Sequence, residues 1–446
     1  MVPTPATPLV VVGAGPIGLG AAAHAVERGL PVVVLEAGDE VGAAVSEWGH
    51  VRLFSPWSEL VDPAAARLLD AAGWVAPDPA GLPSGHEWVA AYLRPLAVAL
   101  ERAGVDVRRG HRVVGLARSG RDRLVAAGRS DVPFAVHVKG PSGHGVLEAA
   151  SVVDASGTWG GPGPLGADGF PAPGEQEHGD RVLRAVPDLG DPARRARHAG
   201  RHTVVAGAGA SAQNALVALA GLAEEVPGTR VTLVLRRADT AKALGAAELD
   251  ELAARGALGS TAQRAADAAA VTTVTGFRTA RLEGAEDGRL ALVGHDGRRV
   301  EQVDEVVAVT GFRPDHSWLR EVHLDLDGEL SAPSGLAPEI HPAHHSCGTV
   351  SPHGADLLRQ PEEGLYLVGM KSYGRAPSFL ALTGSEQVRS VVAEIGGDHE
   401  SAARVELVLP ETGVCGAAPA FDGAPAGGCC GAPAPELVTT GSADAR

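Results

Sequence analysis

The sequence predicts an α/β protein with two Rossmann-like dinucleotide-binding domains, and three observations carry that prediction. A short β-branched run near the amino terminus ends in a glycine-rich turn at Gly13, and a similar run ends in a second such turn at Gly207. Each turn opens an Ala-rich stretch long enough for a helix. Each helix is followed by another β-branched run, the strand–helix–strand alternation of a doubly wound parallel sheet.

Composition bounds the rest. With 446 residues the chain can form one large domain or two to three ordinary ones, each with its own core. A hydrophobic content of 45% excludes a collagen-like or wholly disordered chain, despite 59 Gly and 32 Pro. The formal net charge of −16 argues against a nucleic acid partner, because a phosphate backbone would be repelled. Met1 leads through a short Pro/Thr segment directly into the first strand, and no apolar run is long enough to span a bilayer, so the expectation is a cytoplasmic protein without a membrane partner. Arg is common and therefore weak evidence. Lys, Ile, Met, Asn and Tyr are rare, so a cluster of them carries more weight.

Leu9 to Val12 is the first predicted strand, followed by Gly13-Ala14-Gly15-Pro16-Ile17-Gly18 and a helix to about Arg28. Gly13 permits the tight turn, Gly15 lets a diphosphate approach the backbone, and Gly18 lets the helix pack on the strand. The second strand, Pro31 to Leu35, ends in Glu36, about 20 residues past the first glycine, where a carboxylate accepts the ribose hydroxyls. The second unit runs from Thr203 to Ala206, through Gly207-Ala208-Gly209-Ala210-Ser211-Ala212, a helix from Gln213 to Leu222 and a strand from Val231 to Leu235. It has Arg236 and Arg237 in place of the acid, and a guanidinium pair suits the 2′-phosphate of NADPH better than the bare ribose of NADH. Asn214, the single Asn of the chain, is either a contact to cofactor or flavin or an incidental helix residue.

Two more strands end in small-residue turns. One runs from Ser151 through Asp154 to Trp159, and the other from Glu305 through Thr310, Gly311 and Phe312 to Pro314. Each can return the chain from one nucleotide-binding unit to the other. From Leu365 to Gly369 a last strand precedes Met370-Lys371-Ser372-Tyr373-Gly374-Arg375 and a helix of about Thr383 to Ile395. This stretch gathers two of the three Tyr and one of the three Lys, which marks either a functional surface or a packed core beneath the helix.

These residues resemble the two-dinucleotide-binding flavoprotein superfamily, and within it the flavin-containing and N-hydroxylating monooxygenases. The resemblance covers roughly residues 8 to 396 and rests on GAGPIG with Glu36, GAGASA with Arg236 and Arg237, the DASGTW turn at Asp154 and the VTGF turn at Thr310 to Phe312. It implies FAD on the first domain, NADPH on a second domain inserted within it, Asp154, Thr310 and Gly311 as cofactor-binding residues, and the positive end of the helix from Thr383 aimed at the flavin. The implied segments are a first FAD-binding part over 1–162, an NADPH-binding domain with its linker over 163–302, an FAD-binding return over 303–400 and a disordered, Cys-bearing tail over 401–446. HSCGTVSPHG at His345, GMKSYGRAP at Gly369 and LPETGVC at Leu409 are similar to the flavin-binding monooxygenases of bacterial arsenic-resistance operons. By the same resemblance Lys371 and Tyr373 lie close to the isoalloxazine. The chain departs from the flavin-containing monooxygenases where their F-x-G-x-x-x-H-x-x-x-(Y/F/W) identifier should precede the second turn. The nearest segment, Phe170 to Glu175, has neither that spacing nor the His.

The implied chemistry is hydride transfer from NADPH to FAD. With oxygen and a dry pocket the reduced flavin oxygenates a soft nucleophile, and beside a dithiol it reduces a disulfide. No Cys-x-x-Cys pair exists in the sequence, which disfavours the dithiol route. Cys347 is either a flavin-adjacent thiol or a small buried hydrophobe, and His341, His344, His345 and His353 read as loop histidines rather than zinc ligands. Cys415, Cys429 and Cys430 in the Pro/Gly/Ala-rich tail form a candidate site for a soft metalloid. The favoured function is an NADPH-dependent FAD oxidoreductase, a monooxygenase of a small soft substrate such as a trivalent arsenical. The alternative is a flavin-containing redox sensor or metalloid-binding protein with little turnover. Oligomeric state stays open, with a homo-oligomer among the options.

Overall fold

The computed structural model describes residues 7–238, 240, 244, 253–342 and 350–407. In chain order it begins with β1 (Leu9–Val12), α1 (Pro16–Glu27), β2 (Val32–Leu35), α2 (Pro63–Ala71), α3 (Arg94–Arg102) and β3 (Asp106–Arg108). An antiparallel meander follows, β4 (Arg112–Arg118), β5 (Phe134–Gly140) and β6 (Gly143–Ala149), and then β7 (Ser151–Asp154). Next come β8 (Val182–Leu183), β9 (His202–Ala206), α4 (Ala210–Glu225), β10 (Arg230–Val234), α5 (Ala253–Ala266) and β11 (Val271–Val274). A second meander of β12 (Thr279–Gly284), β13 (Leu290–Gly294) and β14 (Arg299–Val303) leads to β15 (Glu305–Ala308), β16 (Leu365–Leu367) and α6 (Ala381–Ile395).

Two five-stranded parallel sheets organise the molecule. The first has the order β16-β7-β1-β2-β3 and the second β11-β10-β9-β15-β8. Strands β1, β2 and β15 are valine-rich and buried at every residue, as a parallel sheet covered on both faces requires. The chain leaves the first sheet after β7, builds the whole second sheet, and returns only for β16. The second unit is therefore inserted in the first. The strand Glu305–Ala308, expected within the return segment from 303, instead pairs with β9 from Glu305↔Thr203 to Ala308↔Ala206, so the second unit runs through Ala308. All four of its residues are buried, and the second sheet is where they find cover.

The α1 helix is buried along most of its length because it is sandwiched between the first sheet and the helices α2, α3 and α6. Ala at so many positions lets these helices approach closely. At the amino end of α1, Ile17 packs so near Gly384 of α6 that a Cβ there would collide with it. The amino ends of α1 and α6 thus converge at the carboxyl edge of the first sheet, where ligands of open α/β folds bind. No helix among the described residues is long and apolar enough to cross a membrane.

Candidate functional site

The two glycine turns lie at equivalent places, one on each sheet. Register puts Val12, Leu35, Asp154 and Leu367 in one row at the carboxyl edge of the first sheet, and Gly13 begins just beyond it. Gly13 has φ +102°, and a Cβ there would lie 2.8 Å from the carbonyl oxygen of Ala155, so no other residue fits without displacing the β7 turn. A Cβ on Gly18 would collide with the Gly13 carbonyl. Gly15 is different, since nothing lies within 4 Å of a Cβ built there. It is the N-cap of α1, which is entered through Pro16, so the first N–H groups of the helix have no intrahelical acceptor. Glu36 accepts from Ala14 N at 2.7 Å and Gly38 N at 2.8 Å, which fixes its carboxylate beside this opening with a lone pair left on each oxygen. An open helix amino end and an anchored acceptor fit the diphosphate and ribose of a dinucleotide.

The second turn repeats the construction. Gly207 has φ +139° and a Cβ there would strike the Val309 carbonyl, whereas Gly209 faces open space and Ser211 is exposed on the first turn of α4. Buried Ala212 stands where the first turn has its third glycine. Arg236 and Arg237 lie just past Val234, the last residue of β10, with Arg236 exposed and Arg237 half-buried. Burial, then the neighbouring Arg236, holds the Arg237 guanidinium below its ordinary value. Asn214 turns its amide back to the Ala210 carbonyl at 2.9 Å, a contact within its own helix. Of its two readings, a cofactor contact or an incidental helix residue, this local contact suits the second.

The two turns that leave β7 and β15 run side by side. Gly163 N donates to Gly311 O at 2.7 Å, Arg313 N donates to Gly161 O at 2.7 Å, and the Thr310 hydroxyl donates to Gly163 O at 2.7 Å. Trp159 and Phe312 pack with ring centroids 5.0 Å apart, and Trp159 Nε1 donates to Glu47 at 2.7 Å. Thr310 and Gly311, expected at a cofactor, thus join the two crossovers into one antiparallel ribbon.

Asp154 and Lys371 form an ion pair of 2.6 Å with 0% and 1% of their side chains exposed. Ser156 caps Asp154 through both its N–H and its hydroxyl, and its oxygen lies 3.1 Å from Lys371 Nζ. The indole of Trp318 covers the ammonium at 4.9 Å. This corrects the expectation for these residues. Lys371, expected close to the isoalloxazine, and Asp154, expected at the cofactor, are both buried, and each satisfies the other's charge. Ser156 is the member of the group that reaches the exterior.

Tyr373 is also fully buried, packed between His353 at 5.7 Å and Phe379 at 5.2 Å, and burial pushes its phenol above the ordinary value. Thr383 lies beside it, buried, two residues inside a helix that begins at Ala381 rather than at Thr383 itself. Beneath this layer Gln387 accepts from Gly369 N at 2.7 Å and donates to Ser372 Oγ and His353 Nε2, both at 2.9 Å. Burial holds His353 below its ordinary value, so it accepts from Gln387 as a neutral ring. Sequence reasoning missed Ser156, Trp318 and Gln387, since Ser156 and Trp318 meet Lys371, and Gln387 meets Gly369, only across long chain separations.

Cys347, Cys415, Cys429 and Cys430 lie outside the described residues, as do His344 and His345. Among the described residues no group of three or more His, Cys, Asp or Glu is placed to hold a metal ion.

Residues 11–68 match the profile of the NAD(P)-binding Rossmann-like domain. Curated protein sequences yield no match. Among solved structures, bacillithiol disulfide reductase Bdr (YpdA) from Bacillus cereus is similar at 19% identity and TM-score 0.64, with 88% of this chain and 99% of that one covered. The FAD-bound cadaverine monooxygenase DfoA from Erwinia amylovora is similar at 13% identity and TM-score 0.60, over 91% and 98%. A flavin monooxygenase variant from Stenotrophomonas maltophilia follows at 20% identity and TM-score 0.53, over 88% and 98%. At these identities the likeness is one of fold: the chain is an α/β protein of two Rossmann-like units, an architecture it has in common with reductases and monooxygenases alike.

Proposed function

We propose that the chain is an NADPH-dependent flavoprotein oxidoreductase, with FAD on the first unit and NADPH on the second. The observation that carries this reading is the pair of open glycine turns at the carboxyl edges of two parallel sheets in one chain, the first beside anchored Glu36 and the second followed by Arg236 and Arg237. One acid and one arginine pair select two different dinucleotides. Gly15, Pro16 and the α1 amino end hold the FAD diphosphate, and Glu36 holds its ribose. Gly209 and Ser211 hold the NADPH diphosphate, and the arginines its 2′-phosphate. When bound, FAD supplies hydride acceptance from NADPH and electron delivery to a second acceptor. Ser156 and the amino end of α6 orient the ring portion, over a floor fixed by Asp154, Lys371 and Gln387.

The second acceptor is oxygen, and the substrate is a small soft nucleophile such as a trivalent arsenical. The absence of any Cys-x-x-Cys pair supports this over disulfide reduction. Purified protein that is yellow, and whose NADPH oxidation in air rises with arsenite, supports the reading; oxidation indifferent to arsenite removes the arsenical. Cys415, Cys429 and Cys430 would bind arsenite through three thiolates. Truncation after Leu409 should abolish stoichiometric arsenite binding and leave FAD binding intact, and equal binding by both forms contradicts a tail site.

A further inference from the structure

Strand β6 is an open sheet edge. It is the last strand of the order β4-β5-β6, and no bridge to its outer side occurs among the described residues. Gly143 to Val146 and Glu148 are exposed, with Val146 at 57%. Proteins normally blunt such an edge with a bulge, a proline, a lysine or a covering segment. The opposite edge shows two of these devices: β4 breaks register between Val113 and Gly115, and the Ser317–Leu319 turn packs against it. By contrast, β6 has none, pairing with β5 in unbroken register from Gly143↔Gly140 to Ala149↔Phe134.

The two-residue turn Pro141-Ser142 makes Gly140 and Gly143 a hydrogen-bonded pair, and such pairs alternate along the hairpin. The N–H and C=O groups of His144, Val146 and Glu148 therefore point away from β5. Their side chains share one sheet face, where His144 stacks on His137 at 5.5 Å, while Leu147 turns to the core. Neither His144 nor Glu148 has an ion-pair partner among the described residues.

We infer that β6 pairs antiparallel with β6 of a second copy of the chain, about a two-fold axis at Val146. Histidine, valine and glutamate at 144, 146 and 148 are complementary to their own reverse order. The axis sets Val146 against the partner's Val146, His144 against the partner's Glu148 and Glu148 against the partner's His144. All three pairs use the outward-pointing backbone groups, so the two meanders join into one six-stranded sheet. An unrelated extended peptide would have no reason to match this register. The chain's own symmetry supplies one.

Sedimentation velocity on the full-length protein at micromolar concentration tests this, and the expected mass is twice that of the chain. Val146→Pro removes the N–H at the axis without touching the β5 ladder and should give a monomer whose far-ultraviolet circular dichroism matches that of the parent. Glu148→Lys sets an ammonium opposite His144 and should weaken the dimer at least about tenfold. The double exchange His144→Glu with Glu148→His restores the pairs in reverse and should restore the dimer. Because Glu148 is on the surface, that variant decides the matter if Val146→Pro does not fold. A wild-type monomer at every concentration overturns the proposal. So does a dimer that both β6 substitutions leave intact, or one lost only on truncation after Leu409.

Discussion

Replacing Gly15 with aspartate separates folding from dinucleotide binding, because this position is free of steric constraint in the protein alone. Nothing lies within 4 Å of a Cβ at Gly15, and its φ of −80° and ψ of −175° suit an ordinary residue. It is also the N-cap of α1 and has no side chain to cap with. An aspartate there can accept from the first-turn N–H groups and complement the helix dipole, which should raise the stability of the ligand-free protein by about 0.3 to 1 kcal/mol. The same carboxylate would stand where the FAD diphosphate must approach. Two unit charges about 4 Å apart repel by about 1 kcal/mol in water and about 4 kcal/mol near a protein surface, which predicts FAD affinity lower by on the order of tenfold to a thousandfold. Urea denaturation of the ligand-free protein and calorimetric titration with FAD measure the two effects. A folded variant with unchanged FAD affinity refutes the placement of the diphosphate over Gly15, and a variant that does not fold refutes the open geometry.

Other expected outcomes follow from the same structure. Changing Arg236 and Arg237 together to alanine should raise KM for NADPH by about tenfold to a hundredfold and leave NADH nearly unaffected, and equal effects in steady-state kinetics contradict the 2′-phosphate assignment. Lys371→Met leaves Asp154 buried without its partner and should cost about 3 to 5 kcal/mol in urea denaturation, most of it recovered by adding Asp154→Asn; a loss below 1 kcal/mol would show the pair is not the floor described. His198 is fully buried beside Thr203, and burial pushes it down to about 4. Below its unfolded value the unfolded chain takes up a proton that the folded chain refuses, so stability should fall as pH drops from about 6.5 to about 4, by up to about 3 kcal/mol. The His198→Gln variant should flatten that stretch of the pH profile, and an unchanged slope contradicts the assignment.

Much of the fold is legible in the sequence because the buried parallel strands are also the most strongly patterned. Leu9 to Val12 is a four-residue apolar run, three of them valines, its exit is forced by Gly13, and the structure begins and ends β1 at those residues. The meanders β4–β6 and β12–β14 are not legible in the same way. Their outer strands β4, β6, β12 and β14 are only partly buried and mix polar and apolar residues without a clean period, although the central β5 alternates and β13 is buried throughout. Residue rarity proved an uneven guide to the site. It drew attention to Lys371 and Tyr373, which do lie at the carboxyl edge of the first sheet but beneath its surface, and to Asn214, whose amide is engaged within its own helix. What decides those roles is partnership across long chain separations, Lys371 with Asp154 and Gly163 with Gly311, and no local pattern encodes it. The crossover ribbon is the clearest instance. Both of its strands look like ordinary turns until they are seen together.

The central claim is that two dinucleotides meet on this one chain, and an anaerobic titration of the FAD-loaded full-length protein tests it most directly. NADPH should remove the visible flavin absorbance completely at one equivalent, NADH should do so far more slowly, and readmitted air should restore the colour. A protein that takes up no FAD, or whose bound FAD NADPH leaves oxidised, contradicts the account.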